Sequence, residues 1–369
     1  MKKDNNTELF LELVKVGLWA DANLNFNALI DKVDWEKVYQ LAEEQSVVGL
    51  VLAGIERLKN VNLHLNLDQE LLLQWIGEVQ MIEQQNKAMN QFVAELIEKM
   101  RAADIYTLLV KGQGVAQCYE RPLWRACGDV DLLLSADNYE KAKSFLTPLA
   151  EHVDPEDKSI KHLGMTMGEW IVELHGTMHT EISRRVNKRV DKVQDDLFFG
   201  GNVRSWNNGG TAVFLPSPDN DVIFIFTHIL EHLFVEGVGL RQVCDWCRLL
   251  YTYKDSLNYG LLETRIKLMG LMSEWKALAS LAVDVLGMPK EAMPIYDTRY
   301  FRRGQRVLAR IMKSGNMGHN NDLRYRSKYS GLTYKLAALW RRMKDFAGFT
   351  MIFPIDAPKF FAYYVFRKI

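Results

Sequence analysis

Through the first hundred residues the apolar side chains recur at three- and four-residue steps, and at Ile105 that rhythm stops. "DWEKVYQLAEEQSVVGLVLAGIERL" follows a capping aspartate, Asp34, and "QELLLQWIGEVQMIEQQNKAMNQFVAELIEKMRAADI" prolongs the same spacing. No proline interrupts it, so this region reads as helices. Three short apolar runs follow: "IYTLLV" ahead of Lys111-Gly112, "DVDLLLS" from Asp129, and "WIVEL" around Glu173. The segments between the first runs, "GQGVAQCYE" and "ADNYEKAKSFLTPL", read as helices, the second capped by Ser135 or Asp137. A strand–helix–strand–helix–strand order inside an otherwise helical chain predicts an α+β protein with a small α/β core.

A chain of 369 residues is long enough for more than one core. The expected division is a helical region over 1–103, the α/β core over 104–216, a helical domain covering the cleft over 217–298, and a basic helical segment with an aromatic tail over 299–369. "TAVFLPSP" ends a stretch of mixed character before helices resume near Asp219. Among them "ETRIKLMGLMSEWKALASLAVDVLG" reads as a helix that stops at Gly287, ahead of Pro289.

The chemistry concentrates at Asp129-Val130-Asp131. Alternate residues of a strand share a face, so the two aspartates project together while Val130 turns to the core. Paired carboxylates repel and raise each other's pKa unless a cation lies between them. A hard divalent ion with oxygen ligands resolves the conflict, and magnesium combines one or two carboxylates with substrate phosphates. In-line phosphoryl or nucleotidyl displacement places two such ions roughly 3.5–4 Å apart. A further carboxylate from a neighbouring strand is needed, and Glu173 is the candidate. Lys111 supplies positive charge, Gly112 and Gly128 permit close backbone approach to a phosphate, and Arg125 lies four residues before Asp129. The bland alternative makes Asp129 a turn cap after Gly128 and Asp131 a solvated edge residue.

His175 shares a strand face with Glu173 and is a candidate for phosphate contact or proton transfer. His228 and His232 stand at i and i+4 on a helix, a spacing that can hold zinc, but "HILEH" lacks the acid of HExxH. A structural pair or a polar wall over the cleft fits them better. Arg241 and Asp245, also i and i+4, read as a helix ion pair, with Arg241 a candidate substrate contact. Cys244 and Cys247 form a CxxC with no second pair and read as buried thiols.

Charge excludes little. Lys and Arg number 46 and Asp and Glu 46, yet thirteen of the cations fall between Arg299 and Lys344 against one acid, Asp322. Such a segment suits a polyanion or an anionic membrane surface, or equally a helical face against an acidic neighbour. The apolar residues near the start are interrupted by acids, and Pro, Asp and Lys break the aromatic tail, so neither a secretory leader nor a membrane span is expected. Four cysteines without a disulfide framework fit a reducing cytoplasm.

The order "LLVKG…RACGDVDLLL…IVELH" followed by "LPSPDNDVIFIFTHILEHLFVEGVGLRQVCDWCRLL" resembles a bacterial family of nucleotidyltransferases within the DNA polymerase beta-like superfamily. The likeness spans about residues 30–255, its helical N-terminus included. It implies the nucleotidyltransferase fold, a short mixed sheet flanked by helices, with Asp129 and Asp131 as paired metal ligands. Lys111-Gly112 falls where many superfamily members carry Gly-Ser ahead of a triphosphate-binding helix, and Glu173 replaces a more usual third aspartate. The activity implied is magnesium-dependent transfer of a nucleoside monophosphate from an NTP to an unknown acceptor. Two other readings stay open: a non-catalytic nucleotide-binding module, and a polyanion- or membrane-surface-binding scaffold using Arg299–Lys344.

Overall fold

The computed structural model describes residues 4–20, 33–60, 65, 67–235, 237–316 and 346–368. Helices α1 (Asn5–Leu18), α2 (Trp35–Glu44), α3 (Val48–Asn60) and α4 (Gln69–Ala102) open the chain. Their starts follow from local chemistry: the Asp4 carboxylate accepts from the Thr7 amide and that of Asp34 from the Lys37 amide, satisfying donors that a first turn leaves free. Helices α1 and α3 cross in contact at small residues. A Cβ on Gly54 would lie 2.4 Å from the Leu13 carbonyl oxygen, so a larger side chain would push the helices apart.

Beyond α4 come β1 (Leu108–Val110), α5 (Gly112–Ala116), β2 (Asp129–Leu133), α6 (Ala136–Leu146), β3 (His152–Val153), β4 (His162–Met167) and β5 (Trp170–His175). The strands form one sheet in the order β1-β2-β5-β4-β3. Only β2 and β5 pair in parallel, joined by a crossover that includes α6, whose N-cap is Ser135. The other neighbours are antiparallel, so the sheet is mixed. Helix α7 (Arg184–Phe199) and the hairpin β6 (Val203–Asn208)–β7 (Thr211–Pro216) follow.

Helices α8 (Pro218–Val235) and α9 (Leu240–Thr252) are buried over most of their residues, including the apolar run Val222–Phe226 of α8. Helix α10 (Tyr259–Met269) ends at Gly270, which adopts a left-handed conformation with φ +80°, and α11 (Met272–Ser280) restarts at once. The single helix expected to run to Gly287 is therefore broken at Gly270. Helix α12 (Phe301–Ser314) buries Val307, Leu308 and Ile311, and α13 (Asp356–Lys368) closes the described chain.

The apolar interior falls into two clusters. One joins α1–α3 to α8–α12 around Trp75, Trp246 and Trp275; the other lies between the sheet and the C-terminal half of α4 and contains Val130. All four cysteines are free and buried, Cys244 and Cys247 on α9. Among the described residues no helix is long and apolar enough to cross a membrane. Of the basic segment, Arg299 to Lys313 are described, and Arg303 and Arg306 bind Ser273 and the Met351 carbonyl. The portion from 317 to 345, with seven of its cations, lies outside the described residues.

Candidate active site

Strand register assembles the acidic group. In the parallel pair, Asp131 lies opposite Glu173 and Asp129 opposite Ile171, so the sheet face that presents Asp129 and Asp131 also presents Glu173 and His175. Ligand oxygens of Asp129, Asp131 and Glu173 all lie within 4.8 Å of one another. Asp131 is buried, while Asp129 and Glu173 are half-buried. They floor a cavity of about 650 Å³ whose opposite wall is α8 and the start of α9. All twelve residues singled out from the sequence line this cavity.

Lys111 is held over the floor by an uncommon backbone. Its φ of +55° and ψ of −143° fall where glycine is nearly the only residue at ease, a strain of about 1–3 kcal/mol. The conformation brings Nζ to 2.6 Å from Asp131 Oδ1. Burial works against the ammonium, but Asp131, Glu173 and Asp129 outweigh it and raise its pKa. Asp129 is raised in turn, chiefly by the Asp131 charge and then by burial. Glu173 moves the other way: burial opposes its charge, yet hydrogen bonds from His162 and His175 and the nearby Lys111 hold it well below the carboxylate range. For His175, burial and Lys111 favour the neutral ring, and contacts to Asp131 and Glu173 overcome them to raise its pKa.

The wall differs from expectation at the arginines. Arg125 lines the cavity, but its guanidinium is engaged by Asp245: Nε–Oδ1 is 3.0 Å and Nη2–Oδ2 is 2.6 Å. The Asp245 partner is thus Arg125 from before β2 and not its helical neighbour Arg241. Arg241 instead donates to the Ala126 carbonyl at 2.7 Å, and its buried Nε has no partner. A smaller cavity of about 240 Å³ shares Arg125 and Arg241 with the main one.

On α8, the His228 and His232 rings meet edge to face with centroids 4.2 Å apart, and Phe224 stacks on His228 at 6.4 Å. Burial, aided by Lys111, drives the His228 pKa well below its usual value, so its ring is neutral. Among the described residues, two groups of three or more ligands are close enough to share an ion, and neither contains His228 or His232. One is the acidic group; the other is His162, Glu173 and His175. His162 was absent from the sequence-based candidates, as was Glu231, a half-buried carboxylate on α8 that accepts the Glu181 amide at 2.7 Å.

A family model described as uncharacterised nucleotidyltransferase matches residues 31–287. Among curated proteins no sequence matches. A solved structure of an antigenic nucleotidyltransferase-like protein from Paracoccidioides brasiliensis is similar at 15% identity, covering 58% of this chain and 96% of that one with a TM-score of 0.34. That likeness is too remote to inform the chemistry.

Proposed function

Because the chain belongs to the uncharacterised nucleotidyltransferase family, we propose that it moves a nucleoside monophosphate from an NTP to a hydroxyl or phosphate acceptor, releasing pyrophosphate. The observation that carries this reading is the convergence of Asp129, Asp131 and Glu173 from two paired strands on the cavity floor.

The donor set suits a divalent ion on chemical grounds. Three carboxylates offer only oxygen, and the raised pKa of Asp129 records negative charge that Lys111 does not fully cancel. Asp129, Asp131 and Glu173 would hold magnesium, two ions in this reading, which when bound supplies Lewis-acid polarisation of phosphoryl oxygens and neutralises their charge. Glu173, kept ionised by its two imidazole neighbours, serves as a ligand better than as a base. Lys111 contributes a fixed ammonium beside Asp131 for the triphosphate. Arg241, with an unpartnered Nε, offers a second cationic donor, while Arg125 acts through Asp245 to hold the segment ahead of β2. Phe224 and the neutral His228 ring form a flat uncharged wall suited to a nucleobase or another ring. Rate enhancement would come mainly from orientation and from charge already in place.

Calorimetric titration of each NTP with magnesium into wild type, Asp129→Asn and Asp131→Asn tests the reading, paired with a pyrophosphate-release assay across candidate acceptors. Binding that needs both metal and aspartates, with turnover lost in each variant, is expected. A wild type that binds no NTP would overturn the proposal.

A further inference from the structure

The cavity floor carries two imidazoles that the transfer reading uses only to keep Glu173 ionised. His162 stands directly opposite His175 across the antiparallel β4–β5 pair, and Glu173, two residues before His175, shares its face. The His162 Nε2 lies 3.1 Å from Glu173 Oε2. The His175 Nε2 lies 3.5 Å from that same oxygen and 2.8 Å from Asp131 Oδ1.

One hydrogen bond satisfies each ring, His162 Nε2 with Glu173 and His175 Nε2 with Asp131, and leaves over the 3.5 Å approach of His175 Nε2 to Glu173 Oε2. A ring nitrogen carries at most one proton. The single His175 Nε2 nevertheless faces two carboxylate oxygens, one of them shared with a second imidazole. Asp131 Oδ1 has a cationic donor already, in Lys111 at 2.6 Å. The remaining convergence of two imidazole nitrogens on one carboxylate oxygen is the pattern that a common cation satisfies. The lengths agree as well. Zinc bonds of about 2.0–2.1 Å to nitrogen and oxygen place neighbouring tetrahedral ligands about 3.3 Å apart, and the 3.1 and 3.5 Å separations bracket that value.

We propose that His162, His175 and Glu173 form a site for an imidazole-seeking divalent cation of the zinc class, distinct in donor chemistry from the all-carboxylate group and sharing Glu173 with it. Nitrogen ligands favour zinc and its transition-metal neighbours, whereas magnesium takes oxygen and keeps its waters. Two histidines and one glutamate leave a fourth position open, as in catalytic rather than structural zinc sites. That position opens on the large cavity, since His162, Glu173 and His175 all line it. The proposal deepens the transferase reading and rests on it for the use made of the cation, not for its binding.

The test titrates chelator-stripped full-length protein with Zn²⁺ in competition with a chromophoric chelator, and records the visible spectrum after Co²⁺ loading. Wild type, His162→Gln and Asp129→Asn are compared, with circular dichroism to verify folding. One Zn²⁺ per chain is expected. Loss of even an outer partner of a metal costs roughly 10–100-fold in affinity, so His162→Gln should lose no less and should lose the cobalt absorption, while Asp129→Asn changes far less. Unchanged Zn²⁺ affinity in His162→Gln, or wild-type Zn²⁺ binding no tighter than Mg²⁺ binding, overturns the proposal. The two readings fail separately: NTP binding that depends on Asp129 beside Zn²⁺ binding indifferent to His162 removes only this site. Tight Zn²⁺ binding that needs His162, with no NTP bound, removes only the transfer activity.

Discussion

Replacing Asp245 by Asn should destabilise the protein by about 3–5 kcal/mol, the usual cost of removing one partner from a buried ion pair. The side chains of Arg125 and Asp245 are only 7% and 6% exposed, so solvent cannot take over the lost charge. Asn keeps the shape and one acceptor but gives up the charge that two guanidinium contacts and the Tyr119 hydroxyl, at 2.8 Å, depend on. Burial alone would weaken the Arg125 cation, and Asp245 more than restores it. The damage should spread to the floor. The Ala126 carbonyl accepts Arg241, the Arg125 carbonyl accepts Asn86 at 2.9 Å, and both lie just ahead of β2 and Asp129. Urea unfolding, followed by tryptophan fluorescence and circular dichroism in parallel, measures the effect. The double variant Arg125→Met/Asp245→Leu closes a mutant cycle, because an apolar pair should cost less than either single change. A loss below about 1 kcal/mol in Asp245→Asn, or a double variant as costly as the sum of its singles, would refute the reasoning.

Two further outcomes follow from backbone strain and from a misplaced charge. Lys111→Gly and Lys111→Ala both lose the ammonium, but only glycine is at ease at φ +55° with ψ −143°. The Gly variant should therefore unfold at higher urea, by about 1–3 kcal/mol, and an Ala variant of equal or greater stability would show that Lys111 is unstrained. On α11 both carboxyl oxygens of Glu274 are buried without a hydrogen-bond partner, and burial, then Asp356, pushes its pKa from 4.5 up to about 8. An acid raised on folding holds its proton in the native state, so stability falls as pH rises from the unfolded value and levels off above the folded one. At 1.36 kcal/mol per unit the whole loss is about 5 kcal/mol, of which about 2.5 falls between pH 6 and 9. Glu274→Gln should abolish that slope in urea midpoints, and parallel slopes in the two proteins would exclude Glu274 as its source.

How much of the fold the sequence disclosed depended on whether a segment's structure was decided locally. Asp34 and Ser135 cap helices that start where their side chains predict, because the relevant donors lie within three residues. The proline-free run into α4 is one helix of 34 residues, and the strand containing Asp129 is bracketed by its own apolar residues. Strands β3, β4, β6 and β7 were not singled out: β3 has only two residues, β6 alternates exposed and half-buried residues up to the buried Asn208, and the run containing β7 read as mixed. Gly270 escaped for the opposite reason. Apolar periodicity continues on both sides of it, and only its left-handed conformation separates α10 from α11.

The site divides along the same line. Asp129, Asp131 and Glu173 could be named because period-two alternation puts each on a definite face, and parallel pairing then aligns Asp131 with Glu173. The Arg125–Asp245 pair could not, since 120 residues of chain separate its members and helix spacing favoured Arg241 as the partner of Asp245. His162 is the instructive omission, because its position follows from a turn that was in view. Gly168-Glu169 makes a two-residue loop with Gly168 at φ +61°, the conformation that glycine favours at the first position of a hairpin turn. Once Met167 pairs with Trp170, every step away from the turn moves one residue along each strand, and the fifth step brings His162 opposite His175. A glycine turn thus fixes a histidine pair six residues from it, beside a carboxylate that two other acids already share. The proposed metal sites of the cleft would therefore depend on that hairpin's register as much as on the aspartates: a one-residue slip would turn His162 to the opposite face and leave the oxygen donors alone.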